Sequence, residues 1–143
     1  MKNYIGLRRI GMEDLKAVLF LLILSVPISF AAAHVPEMRS YYLLYPLTAA
    51  GIAYRFASLF FLELFFRGFV MFGVLGRTGK DSIILQDIPY ILVHLGKPLL
   101  ELLYSGIVGL VFGKINYRSK SFLPSFLLHS LGSEIFIAMV HLL

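Results

Sequence analysis

The sequence contains no cysteine, and only 15% of its 143 residues are charged. Without cysteine the chain cannot form a disulfide, a thiolate nucleophile or a cysteine-ligated zinc or iron–sulfur site. So few charges beside 59% hydrophobic residues exclude an ordinary cytosolic domain and a disordered chain. The 12 glycines follow no fixed period, which excludes a collagen-like fibre. The length is that of a single domain.

Long hydrophobic runs account for the mean hydropathy of +0.84, and they point to lipid as the surrounding solvent. Residues 17–35 form a run of nineteen residues without a charge, which as a helix is about 28 Å long and matches one bilayer core. Further runs cover residues 41–76, 83–95, 98–115 and 122–143. The pattern predicts an all-α, polytopic membrane helical bundle with about five transmembrane helices, in one domain over residues 1–143.

Two of these runs have a second interpretation. The basic start and the small residues at the end of the first run also resemble a secretory signal peptide. We favour an uncleaved span, because the downstream sequence is equally apolar. The run 41–76 is either one helix that begins near Pro46 or two short spans broken at Arg55, and the basic residues of the chain help to decide between them.

The net charge of +5 comes from basic residues at the edges of the hydrophobic runs, so nucleic acid is not an expected partner. If residues 41–76 cross once, nine bases fall on one side of the membrane and two on the other, and a second crossing would reduce this bias. The positive-inside rule then places the N-terminus in the cytoplasm. The nine are Lys2, Arg8, Arg9, Lys16, Arg77, Lys80, Lys114, Arg118 and Lys120, and the two are Arg39 and Lys97.

Ionisable side chains inside a bilayer are costly, and they are candidates for functional sites by default. Glu63 and Arg67 share one helix face at i and i+4, where they form either a structural ion pair or a carboxylate tuned to act as a general base. His129 and Ser133 have the same spacing on the last helix. The full set within the runs is Arg55, Glu63, Arg67, Asp87, His94, Glu101, His129, Glu134 and His141.

One glutamate and two histidines on three different apolar helices cost free energy to place in a membrane, and a functional role would explain that cost. Glu63 with His94 can activate a water molecule, while His129 and a hydroxyl hold a developing oxyanion. The same trio is a usual zinc set, but no His-Glu-x-x-His motif is present, and we expect no metal or other cofactor. Glu101 lies in the first turn of the helix begun by Pro98, where it suits the helix dipole or faces His94 across the turn.

Three short motifs occur in order along these helices. They are Leu-Glu-Leu-Phe-Phe-Arg-Gly at 62–68, Tyr-Ile-Leu-Val-His at 90–94, and His129 with Ser133. Together they resemble the CAAX protease and bacteriocin-processing (CPBP) family of intramembrane glutamic endopeptidases, whose eukaryotic members trim prenylated CAAX proteins. The family pattern is Glu-Glu-x-x-x-Arg, an aromatic-x-x-x-His, and His-x-x-x-Asn or Asp. The resemblance extends over residues 60–133.

The resemblance implies an intramembrane endopeptidase that hydrolyses a peptide bond with water activated by Glu63 and His94. The substrate would be a membrane-embedded or lipidated peptide that enters from the bilayer of a prokaryotic cell membrane. The implied catalytic residues are Glu63, His94, His129, Arg67 and Ser133, and the implied apolar walls that contact the substrate are Tyr90, Phe65 and Phe66.

Two positions depart from the family pattern. Leu62 stands where the first glutamate of the family is implicated as the base, and Ser133 stands where asparagine is usual. Adjacent helical positions point about 100° apart, so Glu63 does not simply replace a glutamate at position 62. One alternative is therefore a catalytically silent membrane scaffold or immunity protein on the same fold, and another is a small transporter or channel component that uses buried charge.

Overall fold

The computed structural model describes residues 5–143, and every regular element in this range is helical. Lys2, one of the nine bases in the charge count, lies outside the described residues. The predicted all-α class is confirmed. The helices are α1 (Met12–Ala33), α2 (Pro36–Tyr42), α3 (Ala49–Glu63), α4 (Phe72–Thr78), α5 (Ser82–Leu92), α6 (Leu99–Ser119) and α7 (Leu123–Leu142), with a π-helical segment at Leu64–Met71 and a 3₁₀ turn at Gly79–Asp81.

Four helical stretches within residues 5–143 are long and apolar enough to cross a membrane, so the chain is an integral membrane protein. They are Met12–Ala33, Ala49–Leu92, Leu99–Ser119 and Leu123–Leu142. The predicted segment at 83–95 corresponds to α5, which has only 11 residues and is about 16 Å long at the helical rise of about 1.5 Å per residue. It is therefore shorter than one bilayer core, and the chain reaches the end of the bundle that carries α2 only together with the turn at 93–98.

The second stretch begins as one continuous helix and not as two spans broken at Arg55. Thr48 caps its start, since the Thr48 hydroxyl accepts a hydrogen bond from the Gly51 amide at 3.1 Å. The chain then remains helical through α3, the π-helical segment and α4. It turns at Gly79, whose φ of +56° is left-handed backbone that glycine adopts without strain.

Helix α5 folds back against the π-helical segment and lies beside α6. The rings of Phe66 and Tyr90 are 5.6 Å apart in an edge-to-face contact. One turn before Tyr90, the Gln86 side chain donates a hydrogen bond to the Gly109 carbonyl at 3.2 Å. Gly109 has no side chain at the point where Asp87 and Tyr90 approach α6, so α5 and α6 can pack closely.

The two ends of the bundle carry different polar contacts. At one end, the Phe122 amide donates to the Gly6 carbonyl at 2.9 Å, and the Ser121 hydroxyl donates to the Arg8 carbonyl at 2.8 Å. At the other end, α2 and the turn at 96–98 line one cleft, which brings Arg39 and Lys97 to the same end.

An ion pair between a buried arginine and a half-buried glutamate joins α3 to α7. Arg55 donates from Nε and Nη2 to the two carboxylate oxygens of Glu134 at 2.6 and 2.7 Å, and its Nη1 donates to the Pro46 carbonyl at 2.9 Å. A planar guanidinium and a carboxylate match each other in this bidentate form. These two intramembrane charges therefore satisfy each other, and they lie outside the contacts of Glu63.

Candidate active site

Glu63 is the centre of the candidate site, and its side chain is 0% exposed. One carboxylate oxygen, Oε1, accepts from Arg67 Nη1 at 3.2 Å and from His129 Nδ1 at 2.7 Å. The other oxygen, Oε2, accepts from the Ser125 hydroxyl at 2.6 Å. Both oxygens are thus engaged by protein donors, which is the environment that holds a buried carboxylate in place.

The π-helical segment starts directly after Glu63 and contains Arg67. A π-helical turn is wider than an α-helical turn, because its hydrogen bonds run from i to i+5, and such turns are frequent at functional sites. The guanidinium of Arg67 is fully buried and lies 3.7 Å from the centre of the Tyr90 ring, with Phe112 at 5.6 Å. Arg67 is therefore held between a carboxylate and two aromatic rings, an arrangement favourable to a desolvated cation.

His129 faces Glu63 from α7. An ionised carboxylate can only accept hydrogen bonds, so the proton shared at 2.7 Å belongs to Nδ1 of His129. In the neutral ring the lone pair is then on Nε2. The side chain is 17% exposed and packs near Phe112 and Tyr90, with ring centres 5.7 and 6.3 Å away. This is a histidine oriented by a carboxylate, as in many general bases.

His94 lies in the turn after α5 and packs against Tyr90. Its Nδ1 donates to the Tyr90 carbonyl at 2.8 Å, and its ring centre is 4.7 Å from that of Tyr90. Burial lowers the pKa of His94, and the nearby Lys97 lowers it further, while the hydrogen bond to the backbone acts in the opposite direction. The ring is therefore neutral near pH 7, with the lone pair on Nε2.

The structure brings some of the predicted residues together and leaves others apart. Glu63, Arg67 and His129 are in direct contact, and both histidines pack against the ring of Tyr90. Within residues 5–143, no hydrogen bond joins Glu63 to His94 or involves the side chain of Ser133. The prediction that Glu63 and His94 hold one water molecule between them requires no direct hydrogen bond, and it stays a prediction.

The two predicted phenylalanine walls have different positions. Phe66 is buried against Tyr90, whereas Phe65 is 54% exposed and lies in an apolar groove on the outer surface. Adjacent positions on a helix point in different directions, so only one of the two rings faces the interior. The Phe65 ring consequently faces outward, toward the surface that would meet lipid, and it does not face the buried site.

Two other predictions concern charge and metal. Glu101 accepts a hydrogen bond from Lys97 at 2.7 Å, so its carboxylate closes the turn between α5 and α6. Among the described residues, no group of three or more histidine, aspartate or glutamate side chains is arranged to hold a metal ion.

The prediction from sequence missed two buried residues that support Glu63. Ser125 donates to Glu63, and Asn116 on α6 exchanges two hydrogen bonds with Ser125. Ser125 precedes His129 by four residues, so it lies on the same helix face by the same rule that selected Ser133. The sequence feature that could have identified Asn116 is weaker, because it is only a polar amide near the end of an apolar helix.

A comparison with protein families identifies the family of the chain. The model of the family described as type II CAAX prenyl endopeptidase Rce1-like matches residues 56–133, more than half of the 143-residue chain. The chain belongs to this family. No curated protein matches the chain, and no solved structure matches it. The matched range confirms the family resemblance, and it includes Glu63, His94 and His129 on their separate elements.

Proposed function

We propose that the protein is an intramembrane endopeptidase that uses water to cleave a membrane-anchored or lipidated peptide. Its family supports the reaction class. The single observation that carries the proposal is the 2.7 Å hydrogen bond between the buried Glu63 carboxylate and Nδ1 of the half-buried His129. A membrane protein that keeps a carboxylate, an arginine and a histidine in contact inside its apolar core bears a high solvation cost, and catalysis is a use that explains this cost.

The contacts of Glu63 favour a role through His129 rather than direct contact with water. In the proposed mechanism, Nε2 of His129 takes a proton from water while the resulting hydroxide attacks the peptide carbonyl carbon. The carbonyl π electrons move to its oxygen, the C–N bond breaks as they return, and the proton on His129 passes to the leaving nitrogen. Glu63 holds the ring and stabilises its positive charge, as the buried aspartate does in a serine-protease triad.

The remaining predicted residues have supporting roles in this proposal. His94 presents Nε2 as a second acceptor, which can orient the other hydrogen of the water. Arg67 holds Glu63, and the hydroxyl of Ser133, one turn beyond His129, is the proposed donor to the oxyanion. Phe66 and Tyr90 form the apolar wall next to these groups.

The proposed substrate enters from the lipid. An apolar groove on the outer surface is lined by Ile5, Phe61, Leu64, Phe65 and Phe69. The groove borders the helix that carries Glu63, so a lipid-anchored peptide could lie with its hydrocarbon chain against Phe65 while its backbone reaches the site. This gives Phe65 the substrate-binding role that the sequence predicted, although at the outer surface.

The test is cleavage of a fluorogenic farnesylated peptide ending in Cys-aliphatic-aliphatic-X by the purified protein in liposomes. We expect the wild type to release the C-terminal tripeptide and the His129→Ala variant to lose activity by about 10²–10⁴-fold, the usual contribution of a general base. Glu13→Gln is the matched control, because Glu13 is an exposed carboxylate paired with Lys16 on α1, and it should leave the rate unchanged. A fully active His129→Ala variant would contradict the mechanism.

A second candidate function is a silent membrane scaffold or immunity protein on the same fold. The observation that favours it is the combination of Leu62, which carries no acid, with a Glu63 that is 0% exposed. If the wild type cleaves neither prenylated nor unprenylated peptides, this candidate gains support. If the protein is a scaffold, a folded Glu63→Gln variant should bind its partner as the wild type does.

A further inference from the structure

The hydrogen bonds between Asn116 and Ser125 have a fixed direction. The Ser125 amide can only donate, so the Asn116 atom 3.2 Å from it is the carbonyl oxygen Oδ1. The other end of the Asn116 amide is then Nδ2, which donates to the Ser125 hydroxyl oxygen at 2.6 Å. Because the backbone amide determines this orientation, the Ser125 oxygen acts as an acceptor toward Asn116.

This orientation decides where the hydroxyl proton of Ser125 goes. A serine hydroxyl has one proton to donate, and with Asn116 as a donor the proton is available for another acceptor. The Glu63 oxygen Oε2 is 2.6 Å away and the Phe122 carbonyl is 2.9 Å away. The carboxylate is the stronger and nearer acceptor, since hydrogen bonds to an ionised group are shorter and stronger.

We propose that Asn116 is a positioning residue that acts through Ser125 and Glu63 to set the tautomer of His129. The hydrogen bond from Ser125 to Oε2 fixes the rotation of the carboxylate, so Oε1 stays 2.7 Å from Nδ1 of His129. The Nδ1 atom of His129 must then carry the proton, and Nε2 keeps the lone pair. All three supporting residues, Asn116, Ser125 and Glu63, are 0% exposed, so water does not compete for these contacts.

This inference deepens the proposed function, because the Nε2 lone pair is what the proposed base requires. It does not depend on activity for its test, since the tautomer is a property of the resting protein. The alternative is that Asn116 only joins α6 to α7, as polar residues often do between membrane helices. If Asn116 is a positioning residue, its replacement changes the tautomer of His129. If it only joins the two helices, the tautomer stays the same.

The test is the ¹⁵N spectrum of histidine-labelled protein in nanodiscs. The chain has only 4 histidines, and a His129→Gln variant assigns the ring of interest. In the wild type we expect one tautomer, with Nδ1 protonated and Nε2 unprotonated. In Asn116→Leu and Ser125→Ala, we expect this tautomer to lose its dominance and the two ring nitrogens to show averaged or doubled signals.

Two variants serve as controls. Ser125→Thr keeps the hydroxyl and should keep the wild-type tautomer. Gln86→Leu removes another amide that is 0% exposed and bonded between helices, through Gly109, but has no contact with Glu63. It should lower stability without changing His129, which separates loss of packing from loss of positioning.

Several outcomes are decisive. If Asn116→Leu and Ser125→Ala both keep the single wild-type tautomer, the proposal is wrong. If they change the tautomer while the wild type cleaves no peptide, the positioning role stands and the peptidase function fails. Where cleavage is measurable, Asn116→Leu should lower kcat by about 10–100-fold with little change in KM, as for outer residues that orient histidine ligands in metal sites.

Discussion

Oε1 of Glu63 lies 2.7 Å from Nδ1 of His129, although 66 positions separate the two residues in the chain. The contact joins the end of α3 to the middle of α7, and Arg67 shares the same oxygen. Removing either partner would leave the other buried without its hydrogen bond, at a cost of about 1–3 kcal/mol for a neutral group and more for a charged one. The packing of the bundle and the chemistry of the site therefore depend on the same pair.

The orientation in the membrane is testable with single cysteines, because the chain has none of its own. We expect Lys80→Cys and Lys97→Cys to react with an impermeant thiol reagent from opposite sides, since the distribution of bases places the first in the cytoplasm. Lys114→Cys is the control and should react from the same side as Lys80→Cys. Labelling of Lys80→Cys and Lys97→Cys from one side would contradict this topology.

The ion pair between Arg55 and Glu134 should matter for stability. Replacing either residue alone by leucine leaves a buried charge without its partner, so we expect a loss of about 3–5 kcal/mol in the free energy of unfolding. The double replacement should recover most of that loss. Unfolding by sodium dodecyl sulfate in mixed micelles measures these values.

The control for that series is Glu13→Gln, which breaks the exposed pair with Lys16 and should change stability little. If the Arg55→Leu and Glu134→Leu losses simply add in the double variant, the two side chains do not stabilise each other, which contradicts this prediction.

Gly109 should tolerate no side chain. A Cβ atom there would collide with the Asp87 carboxylate and would lie 2.9 Å from Cδ1 of Tyr90. We expect Gly109→Ala to destabilise the protein by about 1–3 kcal/mol through overpacking. Gly132→Ala is the matched control, because the space around Gly132 in α7 is open. Equal stability of the two variants would show that α5 and α6 are not so closely packed.

His94 should titrate below the ordinary histidine range. Burial lowers its pKa from the usual 6.5, so the ring stays neutral at pH 6.5 and takes a proton only as the pH falls further. Lys97→Met should raise the pKa, because it removes a nearby positive charge that opposes protonation. An NMR titration of labelled histidine measures both values, and a wild-type pKa of 6.5 or above would contradict the burial of this ring.

The sequence allowed much of the fold to be predicted, because intramembrane helices are long apolar runs with charges at their ends. It predicted α7 at nearly its observed bounds and the single helix through Arg55. It did not predict the π-helical segment, and it extended the short segment at 83–95 beyond the end of α5 at Leu92. Both features depend on how α5 packs against Phe66 and α6. This is tertiary packing, which the hydrophobic periodicity of a sequence does not predict.

The site could be predicted in part for a similar reason. Buried charges are rare in a membrane helix, so Glu63, Arg67 and His129 were identifiable as a group. Ser125 and Ser133 lie four residues on either side of His129, and helical spacing alone does not distinguish them. The rotation and height of α7 relative to α3 decide that Ser125 reaches Glu63.

The central claim, that Glu63 acts through His129, is tested most directly by a double-mutant cycle on peptide cleavage. We expect Glu63→Gln and His129→Ala each to lower kcat/KM by about 10²–10⁴-fold. The double variant should be no worse than the more impaired single variant, because residues that act as a unit are not additive. Losses that multiply in the double variant, or a Glu63→Gln variant with wild-type activity, would contradict the claim.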